Sequence, residues 1–197
     1  VILMHNPLLY LPEDQIAGGF PEFSAPGMPA DMIERLRLQD TVEANTLYLE
    51  TGIERALLAG IDPDSIVIDP GLGFGISSAD SLKLLQSTDK MTALGYPVLI
   101  GASRKRFVKN LLKAGMRREF EELAKTAPLI EGQSSPLSAF NKNGADEIAQ
   151  DMIEDGTGAV SVYAVLKGAK IIRVHDIRRQ KTFTVMADAL KNAAKAL

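Results

Sequence analysis

Ile66-Val67-Ile68-Asp69-Pro70-Gly71-Leu72-Gly73-Phe74-Gly75 is the stretch on which the fold turns. Its three β-branched residues form a short apolar run without alternation, the pattern of a strand buried on both faces. A carboxylate ends the run. Glycines at 71, 73 and 75 follow, and they let the backbone turn tightly and approach a ligand closely. Their spacing is not G-x-G-x-x-G, so a dinucleotide-binding reading fits poorly.

Working outward from this strand (Ser65 to Ile68), three more runs share its character: Val1 to Met4, Pro97 to Ile100, and Lys170 to Val174. Helical periodicity fills the intervals over Gln39 to Ala59, Ser78 to Leu94, Arg104 to Ala114 and Asp146 to Leu166. Thr182 to Leu197 closes the chain as an Ala-rich helix. Gly60, Gly95 and Gly115 read as C-terminal stops, and Gly156 and Gly158 as candidate breaks. Strands alternating with helices indicate βαβ units and a parallel sheet.

Two stretches fall outside that rhythm. Residues 7–29 hold five prolines and read as a long loop. Residues 116–144 are charged, then rich in Pro, Ser and Asn, and read as a partly helical insertion. A (β/α)₈ barrel spends roughly 31 residues per unit. Asp69 to Lys105 is 36 positions, one unit; His5 to Asp69 is 64 and Lys105 to His175 is 70, each one unit plus an insertion. Four units make half a barrel. The chain opens on Val1 inside a strand, so residues 1–197 are expected to be a piece of a longer protein, cut inside the fold.

Composition narrows the function. The chain has 197 residues, a net charge of −3, no cysteine and two histidines. Disulfide scaffolds, thiolate metal sites and cysteine nucleophiles are excluded. A basic nucleic-acid footprint is missing, and no apolar run reaches the ~18 residues of a membrane span. Without a signal peptide or cysteine, a cytoplasmic location is expected.

Each strand ends in reactive residues: Met4-His5-Asn6, Asp69 with its glycines, Gly101-Ala102-Ser103-Arg104-Lys105, and Arg173-Val174-His175-Asp176. Ligands of parallel α/β folds bind at such ends. A poorly solvated Asp69 suits a ligand edge with two adjacent N–H donors, such as an aminopyrimidinone; a structural Asp capping the glycine turn is the other reading. Ser103 is expected to cap the next helix. Arg104 and Lys105 place cations where the helix dipole prefers anions, so an acceptor-rich ligand is expected there. Arg173 and His175 share one face of a strand and suit a phosphate-like anion. His5 is as readily a structural, hydrogen-bonded residue as a catalyst.

Taken in order, these phrases resemble dihydropteroate synthase: Asp69-Pro70-Gly71-x-Gly73-Phe74-Gly75, Pro97 through Lys105, Gly168 through Asp176, and the leading Met4-His5. The resemblance implies a pterin-binding (β/α)₈ TIM barrel of which only strands five to eight, the C-terminal half, are present. It implies condensation of 6-hydroxymethyl-7,8-dihydropterin pyrophosphate with 4-aminobenzoate to 7,8-dihydropteroate and pyrophosphate, assisted by Mg²⁺ whose ligand lies in the N-terminal half. By resemblance, Asp69 pairs with the pterin N–H groups, Lys105 contacts the ring acceptors, and Met4 lines the pterin pocket. Phe74 walls the aminobenzoate site and Ser103 lies near its carboxylate. Arg173 stacks on the pterin and, with His175, holds the pyrophosphate. A homodimer through the last helices is also implied.

Some positions depart from the family pattern. Ile76 stands where Lys is usual and Ser81 where Asn is usual, and Asn6-Pro7 opens a longer loop after Met-His. The alternatives are a methyltetrahydrofolate-type pterin-binding methyltransferase domain and a non-catalytic pterin-binding relative. On the half-barrel reading, the 197 residues alone are expected to be inactive and poorly folded.

Overall fold

A computed structural model describes residues 1–17, 28–126 and 149–193. Four strands occur, β1 (Ile2–Met4), β2 (Val67–Asp69), β3 (Leu99–Ile100) and β4 (Ile171–Ile172). β1 pairs parallel with β2, and β3 parallel with β4. A parallel bridge from Ile68 to Val98 joins the two pairs, so the strands run side by side in sequence order. Among the described residues the array stays open, with β1 and β4 at its edges.

The helices are α1 (Ala30–Arg37), α2 (Thr41–Leu58), α3 (Ser78–Gln86), α4 (Thr88–Thr92), α5 (Arg106–Thr126), α6 (Gln150–Leu166) and α7 (Ile177–Ala193). Asp40 caps α2 by accepting from the N–H groups of Val42 and Glu43 at 2.8 and 2.9 Å. Ser77 caps α3 through Asp80 N–H. Ile66, Ile68, Val98 and Ile100 of the strand layer bury themselves against Leu49 and Ile53 of α2, Leu84 of α3, Phe107 and Val108 of α5 and Ala164 of α6. Fully burying each of these large side chains stabilises the fold by roughly 1.5–3 kcal/mol before entropy is counted.

The helix boundaries differ from the periodicity in informative ways. α1 has no counterpart in the sequence reading. The 78–94 segment is two helices, broken at Ser87. α5 runs through Gly115 to Thr126, because Gly115 is not in the left-handed conformation a glycine stop adopts. α6 is unbroken at Gly156 and Gly158. A Cβ on Gly158 would come within 2.5 Å of Phe183 of α7, and one on Gly156 within 3.0 Å of Leu112 of α5. Those glycines let neighbouring helices approach rather than ending their own. α7 begins five residues early, at Ile177, because Asp176 accepts the Arg179 N–H there.

Of the two long irregular stretches, residues 7–9 and 13–15 form single 3₁₀ turns and residues 116–126 belong to α5. Residues 18–27 and 127–148 lie outside the described residues.

Candidate functional site

Parallel register sets the site. Met4 pairs with Asp69 across β1 and β2, and Ile100 with Ile172 across β3 and β4. The loops that follow therefore open on one end of the sheet.

The loop after β2 is fixed most firmly. Asp69 is buried, and its carboxylate accepts the Gly71 N–H at 2.8 Å. Burial raises its pKa; the Gly71 hydrogen bond and the positive charges of Lys105 and Arg173 oppose the rise. Gly71 has φ +70°, and a Cβ there would meet the His5 carbonyl oxygen at 2.2 Å, so only glycine fits. Asn45 of α2 donates to the Pro70 carbonyl at 2.9 Å. His5 Nδ1 donates to the same oxygen at 3.2 Å, and Nε2 accepts from the Tyr10 hydroxyl at 2.9 Å. Those partners put the proton of a neutral ring on Nδ1. Burial pushes the His5 pKa down to about 4, the Pro70 hydrogen bond opposing. His5 is therefore a buried scaffold residue, which settles the choice left open by its sequence position.

The two departures from the family pattern also have structural places. Ser81 is buried, accepts the Gly73 N–H at 3.1 Å and donates to the Ser77 carbonyl at 2.9 Å. Ile76 is part of the core. Phe74 is half-buried in the same loop, and its N–H donates to the Gly71 carbonyl.

The loop after β3 brings the cations. Lys105 Nζ donates to the Leu72 carbonyl, which anchors the side chain beside the β2 loop. Burial lowers its pKa, Asp69 pulls it back up, and Arg173 adds to the lowering. Arg173, at the end of β4, lays its guanidinium against the Gly101 backbone. A Cβ on Gly101 would sit 2.8 Å from one of its nitrogens. Asp69, Lys105 and Arg173 thus share one electrostatic neighbourhood. His175 joins the same end: the Ser103 hydroxyl is 2.9 Å from its Nδ1 and accepts its backbone N–H at 3.2 Å.

Two expectations change here. Ser103 does not act as a helix cap, because its hydroxyl is engaged by His175. Arg104 does not offer its charge at the helix start. It has φ 59°, the one left-handed non-glycine residue among those described, and its Nε donates to Glu154 of α6 at 2.6 Å. A left-handed non-glycine backbone costs on the order of 1–2 kcal/mol. Met4 is half-buried and lines an apolar cleft with Ile2, Met32, Leu36 and Tyr48, a lining that does not include Asp69 or Lys105.

Asn45 and Glu154 were not singled out by sequence, and Ser81 was noted only as a departure from the family pattern. Their one signal is a polar residue at a position where its helix turns inward: Asn45 beside Ala44, Ser81 beside Leu84 and Leu85, Glu154 beside Ile153. Among the described residues no group of three or more His, Cys, Asp or Glu side chains is placed to hold a metal ion. No described helix is long and apolar enough to cross a membrane.

Known proteins align with this geometry. The family model for pterin binding enzymes matches residues 1–175. The dihydropteroate synthase of Mycobacterium leprae is 34% identical over 155 residues, 78% of this chain and 42% of that protein. The Bacillus subtilis enzyme of that name is 28% identical over 144 residues, 73% of this chain and 39% of its own length. The Thermus thermophilus dihydropteroate synthase structure in complex with 4-aminobenzoate has 29% identity and a TM-score of 0.59, covering 96% of this chain and 53% of that one. The Xanthomonas albilineans enzyme with 7,8-dihydropteroate has 26% identity and a TM-score of 0.60, covering 96% and 51%. The chain thus spans about half the length of these solved structures and about two fifths of the curated relatives. The four parallel strands have the pterin-binding TIM-barrel fold, seen here as an open portion.

Proposed function

The chain belongs to the pterin-binding enzyme family, and we propose that it is the C-terminal part of a single-barrel dihydropteroate synthase. The observation that carries this reading is the convergence of one buried carboxylate with two cations, Asp69 with Lys105 and Arg173. A carboxylate in a dry pocket pairs with the adjacent N–H donors of a pterin edge. Lys105 faces the ring acceptors. Arg173 and His175 lie on the exposed rim of β4, where a pyrophosphate can reach them.

The reaction breaks the C–O bond between the pterin methylene and pyrophosphate, which departs with the electron pair. The amine nitrogen of 4-aminobenzoate forms the new C–N bond and loses a proton. Asp69 stabilises positive charge developing on the pterin, while Arg173 and His175 stabilise the departing anion. Ser103 is held by His175 near that rim, where it can receive the aminobenzoate carboxylate; Phe74 of the β2 loop is the candidate wall of that site, and Met4, which lines the separate apolar cleft, is not assigned to the pterin. On this reading the ligand of the assisting Mg²⁺ belongs to the N-terminal half, and the ion would help to neutralise the departing pyrophosphate. The apolar exposure of Val185, Met186 and Leu190 on α7 supports a homodimer. A cytoplasmic location belongs to the same proposal.

The test is formation of 7,8-dihydropteroate from the two substrates by the full-length protein. Asp69→Asn is expected to abolish pterin binding, whereas Arg173→Ala weakens binding of the pterin pyrophosphate more than that of the free pterin. Pterin binding unaffected by Asp69→Asn would overturn the reading.

A further inference from the structure

The turn that carries Ser103 and Lys105 is held from behind by a pair that the proposed chemistry does not use. Three consecutive side chains leave this turn in three directions: Ser103 to His175, Lys105 to the Leu72 carbonyl, and Arg104 to Glu154. Left-handed backbone makes that divergence possible, and Arg104 sustains it at φ 59° where glycine would be unstrained. Glu154 is 3% exposed. Its Oε1 accepts from Arg104 Nε at 2.6 Å and from Gln150 Nε2 at 3.2 Å. Its backbone carbonyl accepts from Gln180 Nε2 at 2.8 Å, which ties α7 to the same residue. Its Oε2 is buried without a partner among the described residues. Arg104 itself is 45% exposed at its side chain, so the buried member of the pair is the anion.

We propose that Arg104 and Glu154 form a clasp that fixes the Ser103–Lys105 turn, which makes Arg104 a positioning residue and not a ligand contact. The proposal rests on the synthase reading, since that reading assigns Ser103 and Lys105 to the substrates. Glu154 holds Arg104 out of the site, and the left-handed turn it secures points Ser103 and Lys105 at opposite sides of the strand-end cup. A misplaced Lys105 loses its hold on the β2 loop, and a misplaced Ser103 loses His175.

Arg104→Ala in the full-length protein leaves the buried Glu154 carboxylate without its cation, with only the Gln150 hydrogen bond on Oε1, and is expected to lower Tm. Adding Glu154→Gln removes that charge and is expected to restore Tm. If the pair acts as a clasp, the double variant keeps a raised KM for 4-aminobenzoate, and kcat/KM stays roughly ten- to a hundredfold down. Recovery of both Tm and KM in the double variant would show a merely structural pair and overturn the proposal. Amide exchange at Lys105, whose N–H donates to the Ala102 carbonyl at 3.1 Å, reads the turn without turnover. It is expected to quicken roughly tenfold in the double variant, and unchanged exchange overturns the clasp. That arm alone decides if the double variant stays destabilised. Failure of the unmutated protein to form dihydropteroate counts against the synthase reading only, and exchange then still decides the clasp.

Discussion

The two halves of the strand-end cup are built on opposite principles. After β2, a strand with neighbours on both sides, the loop is anchored through its backbone: Pro70 carbonyl by His5 and Asn45, Gly71 N–H by Asp69, Gly73 N–H by Ser81. After β4, Arg173 and His175 are exposed: the Ser103 hydroxyl of β3's loop meets the His175 ring and backbone N–H, and the Arg173 guanidinium lies against Gly101. Central position excludes water and raises the Asp69 pKa. Arg173 stays exposed, so its charge is available to an incoming anion. Shape is thus set at β2, while charge is presented at β4.

The largest expected break in this contrast is Gly71→Ala. A new Cβ 2.2 Å from the His5 carbonyl, at φ +70°, should destabilise the protein by roughly 3–4 kcal/mol in denaturant titration. Gly95→Ala is the control: it has φ +87° but nothing within 4 Å, so it should cost only about 1 kcal/mol.

A pH titration comes next. His5 stays neutral in the folded protein down to about 4, below its ordinary 6.5. As pH falls through 6.5, the unfolded chain takes up a proton that the folded one refuses. The His5 contribution is therefore full above pH 6.5, declines between 6.5 and about 4, and levels off below, a loss on the order of 3 kcal/mol. His5→Gln should flatten that part of the profile. A slope surviving in His5→Gln would move the effect to another group.

Ser81→Ala should cost about 1–2 kcal/mol, because it leaves the Gly73 N–H without its acceptor. Arg173→Ala is the smallest for stability, within about 0.5 kcal/mol for an exposed residue. Calorimetry with pyrophosphate should nonetheless show its affinity clearly reduced. A large stability loss there would erase the distinction between the two halves.

Much of this was legible from the chain. The four apolar runs overlap the four strands, but burial on both faces holds only at the centre: Ile2 of β1 is 58% exposed and Ile171 of β4 is 38% exposed. Asp69, Lys105 and Arg173 were found by their places at strand ends, and the structure gathers them. The helix ends were less legible. Gly115 and Gly158 look like stops in a sequence, yet a helix ends at glycine only when the backbone turns left-handed there. At Gly158 the ring of Phe183 needs the space a Cβ would take. That neighbour is 25 positions away in sequence.

Sequence by itself determined the parallel βα rhythm, the order of the strands' reactive ends and the family, because each is carried by residues close together in the chain. Tertiary structure alone decided that Arg104 turns to Glu154, that Ser103 serves His175 rather than a helix, and that His5 and Asn45 grip one carbonyl. Those choices join residues 25 to 72 positions apart. Local spacing is silent about them, since which polar partner a buried group finds depends on how helices from distant segments pack over the sheet.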